Sequence, residues 1–295
     1  NPQVIMEAVA TLEQKQAEAQ ATTDVDLVKI NADALFGDGY SWIGGNPAGV
    51  CPLTAWLPDE TLARVAAENS LSETAFFVPA EGGYQLRWFA PGGEVTLCGH
   101  ATMAAAYVLW EKLGVAGPQV FFQTQSGPLS VYRSSGWTVL DLPAFPLTET
   151  LSVPDDLVEG LWARPTEVYR AMDYVAVFSE EEKVRDLTPR LELLKRIETR
   201  GVIATAPGKQ ADYVCRFFAP RLGIPEDPAT GSAQCVLAPY WAKKLGKTSL
   251  RVRQLSPRGA EMYCEVAGDR VRVAGHAALY LEGRIHVPDA PASSK

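Results

Sequence analysis

Arg87-Trp88-Phe89-Ala90-Pro91, then Cys98-Gly99-His100-Ala101-Thr102, then an apolar run closing on Lys112-Leu113-Gly114, decides the reading of this chain, because the pattern occurs twice. The second copy runs Arg216-Phe217-Phe218-Ala219-Pro220, then Asp227-Pro228-Ala229-Thr230-Gly231-Ser232-Ala233, then an apolar run closing on Lys244-Leu245-Gly246. Gly99 and Gly114 are fifteen residues apart, and so are Gly231 and Gly246. Such self-similarity marks an internal duplication, each half supplying a strand, a polar glycine-containing turn and a buried helix.

The turn has a chemical consequence. A helix that begins on small residues leaves its first backbone N–H groups unpaired. Those groups and the helix dipole attract an anion, and glycine lets a ligand approach the backbone. Two such helix starts facing each other across a cleft would clamp a small carboxylate and stabilise negative charge forming beside it.

Outward from the repeats, the spacing predicts an N-terminal extension over 1–25, with a helix over 7–21. A first domain then covers 26–145, with 275–287 returning to it, a second covers 146–274, and a polar tail 288–295 follows. A strand is expected around Val28 to Ile30, a glycine-rich loop over 37–45 and a helix over 58–69. Strands are expected over 84–90, 120–124, 127–133 and 137–142, then a short helix within 151–162 and a strand over 174–178. One helix is read over 184–196, with Leu187, Leu191 and Leu194 on one face. Strands close each half, and Gly268-Asp269 signals a hairpin between two of them.

Glu73 stands out in Leu71-Ser72-Glu73-Thr74-Ala75-Phe76-Phe77-Val78. A carboxylate among apolar residues is costly unless it is paired or has a function. Burial would raise its pKa toward the range useful for acid–base work. A cap on a neighbouring turn is the alternative, and the residues leave both open.

With 295 residues, the chain suits two domains of roughly 130 each. A net charge of −8 argues against nucleic acid or an anionic membrane as partner. No apolar run reaches the ~18 residues of a membrane span. Five cysteines at 51, 98, 215, 235 and 264 include no C-x-x-C pair, which argues against a disulfide framework or a zinc site. His276 and His286 read as structural, and the basic residues over 243–258 as a solvated face. The chain opens on Asn1, so an upstream piece is expected to be missing or processed; a cytoplasmic location is expected, with organelle targeting left open.

Six segments now stand in order: Gly45-Asn46-Pro47-Ala48, Leu71-Ser72-Glu73-Thr74, Cys98 to Thr102, Asp227 to Ala233, Gln254 to Ala260 and Gly268 to Gly275. Together they resemble the PhzF-like family, the phenazine-biosynthesis isomerase relatives that share the diaminopimelate epimerase fold. The resemblance spans about residues 27 to 287. It implies an α+β fold: two pseudo-symmetric domains, each a curved, mostly antiparallel sheet around a central helix, with the site between them. It also implies a homodimer and chemistry without metal, PLP or any other cofactor, in which side chains alone move a proton on a small carboxylic acid.

By that resemblance Glu73 is the general base. His100 contacts substrate or relays a proton, and Asp227 and Ser232 orient substrate or assist the transfer. Asn46, Ser72 and Thr230 are substrate contacts, and the backbone at Gly99 and from Gly231 to Ala233 holds the carboxylate. Cys98 occupies the place where two-cysteine racemases and epimerases of this fold carry a catalytic thiol. A helix start lowers a thiol pKa, so Cys98 is a candidate acid or base. Its counterpart in the second half is Thr230, which disfavours a two-thiol epimerase. The expected function is therefore a cofactor-independent isomerase. The alternatives are a racemase or epimerase using Cys98 with a carboxylate, and a catalytically silent binding or scaffold protein.

Overall fold

In the computed structural model, residues 24–32, 44–134, 136–150 and 152–287 are described. The expected helix over 7–21, most of the glycine-rich loop and the tail lie outside them.

The first half contains β1 (Asp24–Ala32), β2 (Asn46–Pro52), α1 (Asp59–Asn69), β3 (Glu73–Ala80), β4 (Gly83–Ala90), β5 (Gly93–Val95), α2 (Gly99–Glu111), β6 (Gln119–Thr124), β7 (Gly127–Ser134) and β8 (Trp137–Pro143). The second contains β9 (Thr148–Glu149), α3 (Asp155–Leu161), β10 (Glu167–Arg170), β11 (Tyr174–Val177), α4 (Glu181–Arg185), α5 (Leu191–Leu194), β12 (Val202–Pro207), β13 (Tyr213–Ala219), β14 (Ile224–Asp227), α6 (Gln234–Leu245), β15 (Ser249–Gln254), β16 (Ala260–Ala267) and β17 (Arg270–Gly275). β18 (Ala278–His286) returns to pair with β1.

The duplication extends to the pairing. In the first half β2 and β3 are parallel, β3 and β4 antiparallel, β4 and β6 parallel, and β6, β7 and β8 form a meander. The second half repeats this with β11, β12, β13, β15, β16 and β17. β8 and β17 then pair antiparallel, from Pro143 opposite Arg270 to Thr138 opposite Gly275, so the sheets of the two halves are joined.

The two repeated arginines have the same structural task. Arg87 on β4 grips Glu94 of β5 with two bonds of 2.7 Å, and Arg216 on β13 grips Glu226 of β14 with bonds of 2.7 and 2.8 Å. Bidentate pairs of this kind fix orientation as well as adding energy, and here they set the path of the chain toward each glycine turn.

α2 is buried almost all round, from Gly99 to Trp110. Its alanines at 104 to 106 let the surrounding strands approach closely. Gly114, at φ 65°, follows the helix, where Val115 N donates to Leu109 O at 2.8 Å; this is the glycine-terminated helix end expected of the repeat. Gly246, at φ 69°, ends α6 in the same way. α6 contains Pro239, which has no N–H to offer the carbonyl of Cys235. The backbone N–H of Phe145, in the segment linking the halves, takes that place at 2.9 Å. Apolar residues of α2 and α6 belong to one continuous core cluster. Two further clusters form on the outer faces of the sheets, beneath α1 and beneath α3 to α5.

Three local expectations need correction. The helix read over 184–196 is two short helices, interrupted over 186–190, where Pro189 cannot continue the hydrogen-bond ladder. The helix read from Gly231 begins at Gln234, after a tight turn in which Gln234 N donates to Gly231 O at 3.0 Å. β1 begins at Asp24, two residues inside the predicted extension. No described helix is long and apolar enough to cross a membrane.

Candidate active site

Glu73 is the first residue of β3, and Gly99 and His100 open α2 beside it. On the facing side are Asp227, the last residue of β14, and the turn from Thr230 to Ser232 that leads into α6. All seven line one cavity of about 260 Å³, together with Cys98, Arg200, Phe217, Leu222 and Ile224. The two glycine turns touch: a Cβ built on Gly99 would lie 3.4 Å from the Cα of Gly231.

Glu73 Oε2 lies 3.3 Å from His100 Nε2, with the side chains 13% and 5% exposed. Neither atom has an aligned hydrogen-bond partner, and both are buried. Unpaired buried polar atoms are rare and cost about 1–3 kcal/mol each, so two of them face to face in a cavity mark a site built for something other than stability. Burial pushes His100 down to about 3, so the imidazole is neutral and the contact is not an ion pair. Burial, reinforced by the negative charge of Asp227, pushes Glu73 up to about 8.

Asp227 is held more tightly. Asn46 Nδ2 donates to its Oδ1 at 2.7 Å and Thr230 Oγ1 to its Oδ2 at 2.5 Å. Burial raises its pKa to about 6, against these two hydrogen bonds, which favour the ionised form. Gln254 completes the support, donating to the Asp227 carbonyl at 2.7 Å and accepting from Thr230 N at 2.8 Å. Arg258 donates to the carbonyls of Gly44 and Gly45, at 2.9 Å each, and Gly45 N donates to Gly259 O. The segments around 45–48 and 254–260 therefore meet across the halves, behind Asp227.

Cys98 overturns one expectation. It caps α2, and the backbone N–H of Ala101 does pull its thiol pKa down, but burial and the adjacent Glu73 carboxylate dominate and raise it well above the ordinary thiol value. Its Sγ lies 3.5 Å from His100 Nδ1. Glu73, Cys98 and His100 each offer one ligand atom within 4.8 Å of the others, the one such set among the described residues that could hold a metal ion. All five cysteines are free and buried.

Three expected substrate contacts sit elsewhere. Asn46 is fully buried behind Asp227 and does not line the cavity. Neither do Ser72, one residue before β3, and Ala233, which is buried in the turn before α6. Arg200, Asp173 and Gln254 belong to the site without having been singled out. Arg200 lines the cavity and donates from Nη1 to Ser232 Oγ at 3.0 Å, while its Nε and Nη2 hold Asp173 at 2.9 and 2.5 Å. Gln254 opens a motif visible in the sequence; Arg200 lies in no motif.

The model of the phenazine biosynthesis-like protein family matches residues 39–283. The chain belongs to that family. An uncharacterized isomerase of Pseudomonas aeruginosa is 48% identical over 263 residues, covering 89% of this chain and all of that protein. The crystal structure of a PhzF-family phenazine biosynthesis protein of Enterococcus faecalis is 39% identical, covers 90% of this chain and all of that one, and superposes with a TM-score of 0.83. A hydroxyproline epimerase of Agrobacterium vitis, solved with bound trans-4-hydroxy-L-proline, shares the fold at 12% identity and a TM-score of 0.59, over 90% of this chain and 94% of that one. This PhzF-like chain thus has the α+β, diaminopimelate epimerase-like architecture that its resemblance to the family implies.

Proposed function

We propose that the chain is a cofactor-independent isomerase that moves a proton between carbons of a small carboxylic acid. In this reading ionised Glu73 takes a proton bound to carbon. The C–H bonding pair passes into the conjugated carboxylate as an enolate or dienolate, and protonated Glu73 returns the proton to another carbon. Neutral His100 steers the carboxyl of Glu73 without competing for the proton. Asp227 and Ser232 orient the substrate on the opposite wall, and the N–H groups of the two glycine turns meet the developing charge.

The observation that carries this is the Glu73–His100 contact: a carboxyl desolvated enough to be a stronger base than an ordinary glutamate, with its Oε2 left unpaired beside an imidazole, in a cavity that the glycine turns also line. The test is solvent deuterium incorporation by NMR across a panel of small unsaturated and α-substituted carboxylic acids. Glu73→Gln should stop exchange while the fold persists. Exchange at the wild-type rate in that variant overturns the assignment.

The racemase or epimerase reading would need Cys98 as acid or base. A thiol raised so far by burial stays protonated at neutral pH and supplies no thiolate to act as base, and Thr230 offers no second thiol across the cavity. Cys98→Ala should therefore keep most of the activity; loss of exchange at a stereocentre, without double-bond movement, would favour the epimerase. A silent binding protein has no physical need for a buried acid with an unpaired oxygen. The working unit in this proposal is a cytoplasmic homodimer, to be checked by light scattering and cell fractionation.

A further inference from the structure

The two halves can be superimposed residue by residue from their strand registers. Phe89 and Phe218 are the third residues of the repeated strand ends; Thr74 pairs with the first and Val202 with the second. Thr74 and Val202 are thus counterparts, and so are Ser72 and Arg200. Across the turns Gly99 matches Gly231, and His100 matches Ser232. In the first half the residue before Thr74 reaches the residue after the glycine: Glu73 to His100, 3.3 Å. In the second half the corresponding strand entrance also reaches the residue after the glycine, but with opposite charge: Arg200 to Ser232, 3.0 Å. The same frame carries a proton-transfer pair on one wall and a cation with a hydroxyl on the other.

We propose that Arg200 is the anion-binding residue of this cavity, so that the carboxylate of a ligand docks on the Arg200–Ser232 wall and its carbon skeleton extends toward Glu73. This rests on the function proposed above only in taking the ligand to be a carboxylate. Arg200 is the one lysine or arginine among the described residues that line the cavity, in a wall that otherwise holds Glu73, Glu94 and Asp227. A guanidinium has five N–H donors. Asp173 takes two and Ser232 one, which leaves two, the number a carboxylate accepts in a forked pair. The side chain is 25% exposed, while its partner Asp173 is 2% exposed. The buried aspartate therefore aims the guanidinium and leaves its other edge to the cavity. The Phe217 ring, its centroid 5.3 Å from the guanidinium carbon, supports its flat face. Arg200 and Asp173 are otherwise an ordinary structural ion pair, and the experiment has to separate the two roles.

The probe is benzoate, with benzamide as its uncharged counterpart, titrated calorimetrically at neutral pH. The wild-type chain should bind benzoate at least about tenfold more tightly than benzamide, a difference of about 1.4 kcal/mol. Removing Arg200 alone would strand the buried Asp173 charge and threaten folding, so the test variant is Arg200→Met with Asp173→Asn, which deletes both charges. It should keep its melting transition and lose the tenfold preference while benzamide binding is unchanged. Arg200→Lys, which keeps the charge but not the fork, should retain only part of it. A folded double variant that still prefers benzoate, or a wild-type chain without the preference, overturns the proposal. Glu73→Gln should keep the preference, so failure of the assigned base and failure of the anion site read out separately.

Discussion

Gly99 and Gly231 are in van der Waals reach of each other: a Cβ on Gly231 would lie 3.6 Å from the Cα of Gly99. The contact brings the starts of two helices from opposite halves to one point, and it explains why both turns line the same small cavity. Neither glycine has a positive φ, so backbone conformation does not require them, and the close approach leaves room for a Cβ at either position but little beyond it. Alanine at 99 would make ordinary contacts, 3.4 Å to Gly231 and 3.5 Å to Leu140. Gly99→Ala should therefore fold with a melting temperature within a few degrees of wild type. Gly99→Val adds branches with nowhere to go and should cut turnover by about tenfold or more by moving the turns apart. Steady-state assays with melting curves check both.

Glu73 should limit stability where it serves chemistry. The folded chain holds its proton up to about pH 8, whereas the ordinary carboxyl releases it near 4.5. Between those values the folded state binds the extra proton, so its stability falls as pH rises through the window. Glu73→Gln removes that penalty. Its unfolding free energy should match wild type near pH 4 and exceed it near pH 9 by on the order of a few kcal/mol, read as a higher melting temperature there. Equal melting temperatures at pH 9 would contradict the buried acid.

The same group sets the pH dependence of turnover. A base must be ionised to act, so kcat/KM should fall by about tenfold per pH unit below about 8 and level off above it. Asp227, which ionises first, should add a second bend near 6. His100 is neutral throughout and contributes no limb. A profile flat from pH 5 to 9 would remove Glu73 as base.

Asn46 and Thr230 act through Asp227. Asn46→Leu or Thr230→Val deletes a donor to that buried carboxylate and should cost about 1–3 kcal/mol of stability. Each should also move the lower bend of the pH profile upward, because the ionised aspartate loses support. A change in melting temperature with an unmoved bend would leave these residues purely structural.

Glu73, Cys98 and His100 together should make the chain sensitive to thiophilic cations. Zn²⁺ bound to these three atoms would occupy the base itself. Micromolar Zn²⁺ should inhibit, EDTA should restore activity, and Cys98→Ala should blunt the effect. Inhibition unchanged in that variant would place the ion elsewhere.

Much of this was legible because the repeats carry their own ruler. The Arg-aromatic-Phe-Ala-Pro strand ends and the fifteen-residue spacing located α2, α6 and both turns, and the apolar setting of Glu73 flagged it. Arg200 was not legible. The hairpin of β12 and β13 is one residue longer than that of β3 and β4, so counting back along the sequence misses the match with Ser72, and only the strand registers recover it. Asn46 was found but misplaced, since the sequence of a turn does not reveal that its amide spends itself on an aspartate 181 residues away. The thiol of Cys98 was misjudged for a related reason: a helix start is visible in sequence, the density of atoms around it is not.

The ladder between β8 and β17 imposes a limit on motion. Swinging the halves apart like a clamshell along that seam would break six consecutive residue pairs, so admission of a guest must come from flexing at the free rim while the spine of the molecule stays shut. Catalytic cycles in this protein should then leave the amide protons of Thr138 to Leu142 among the slowest to exchange with solvent, whether or not the cavity is occupied.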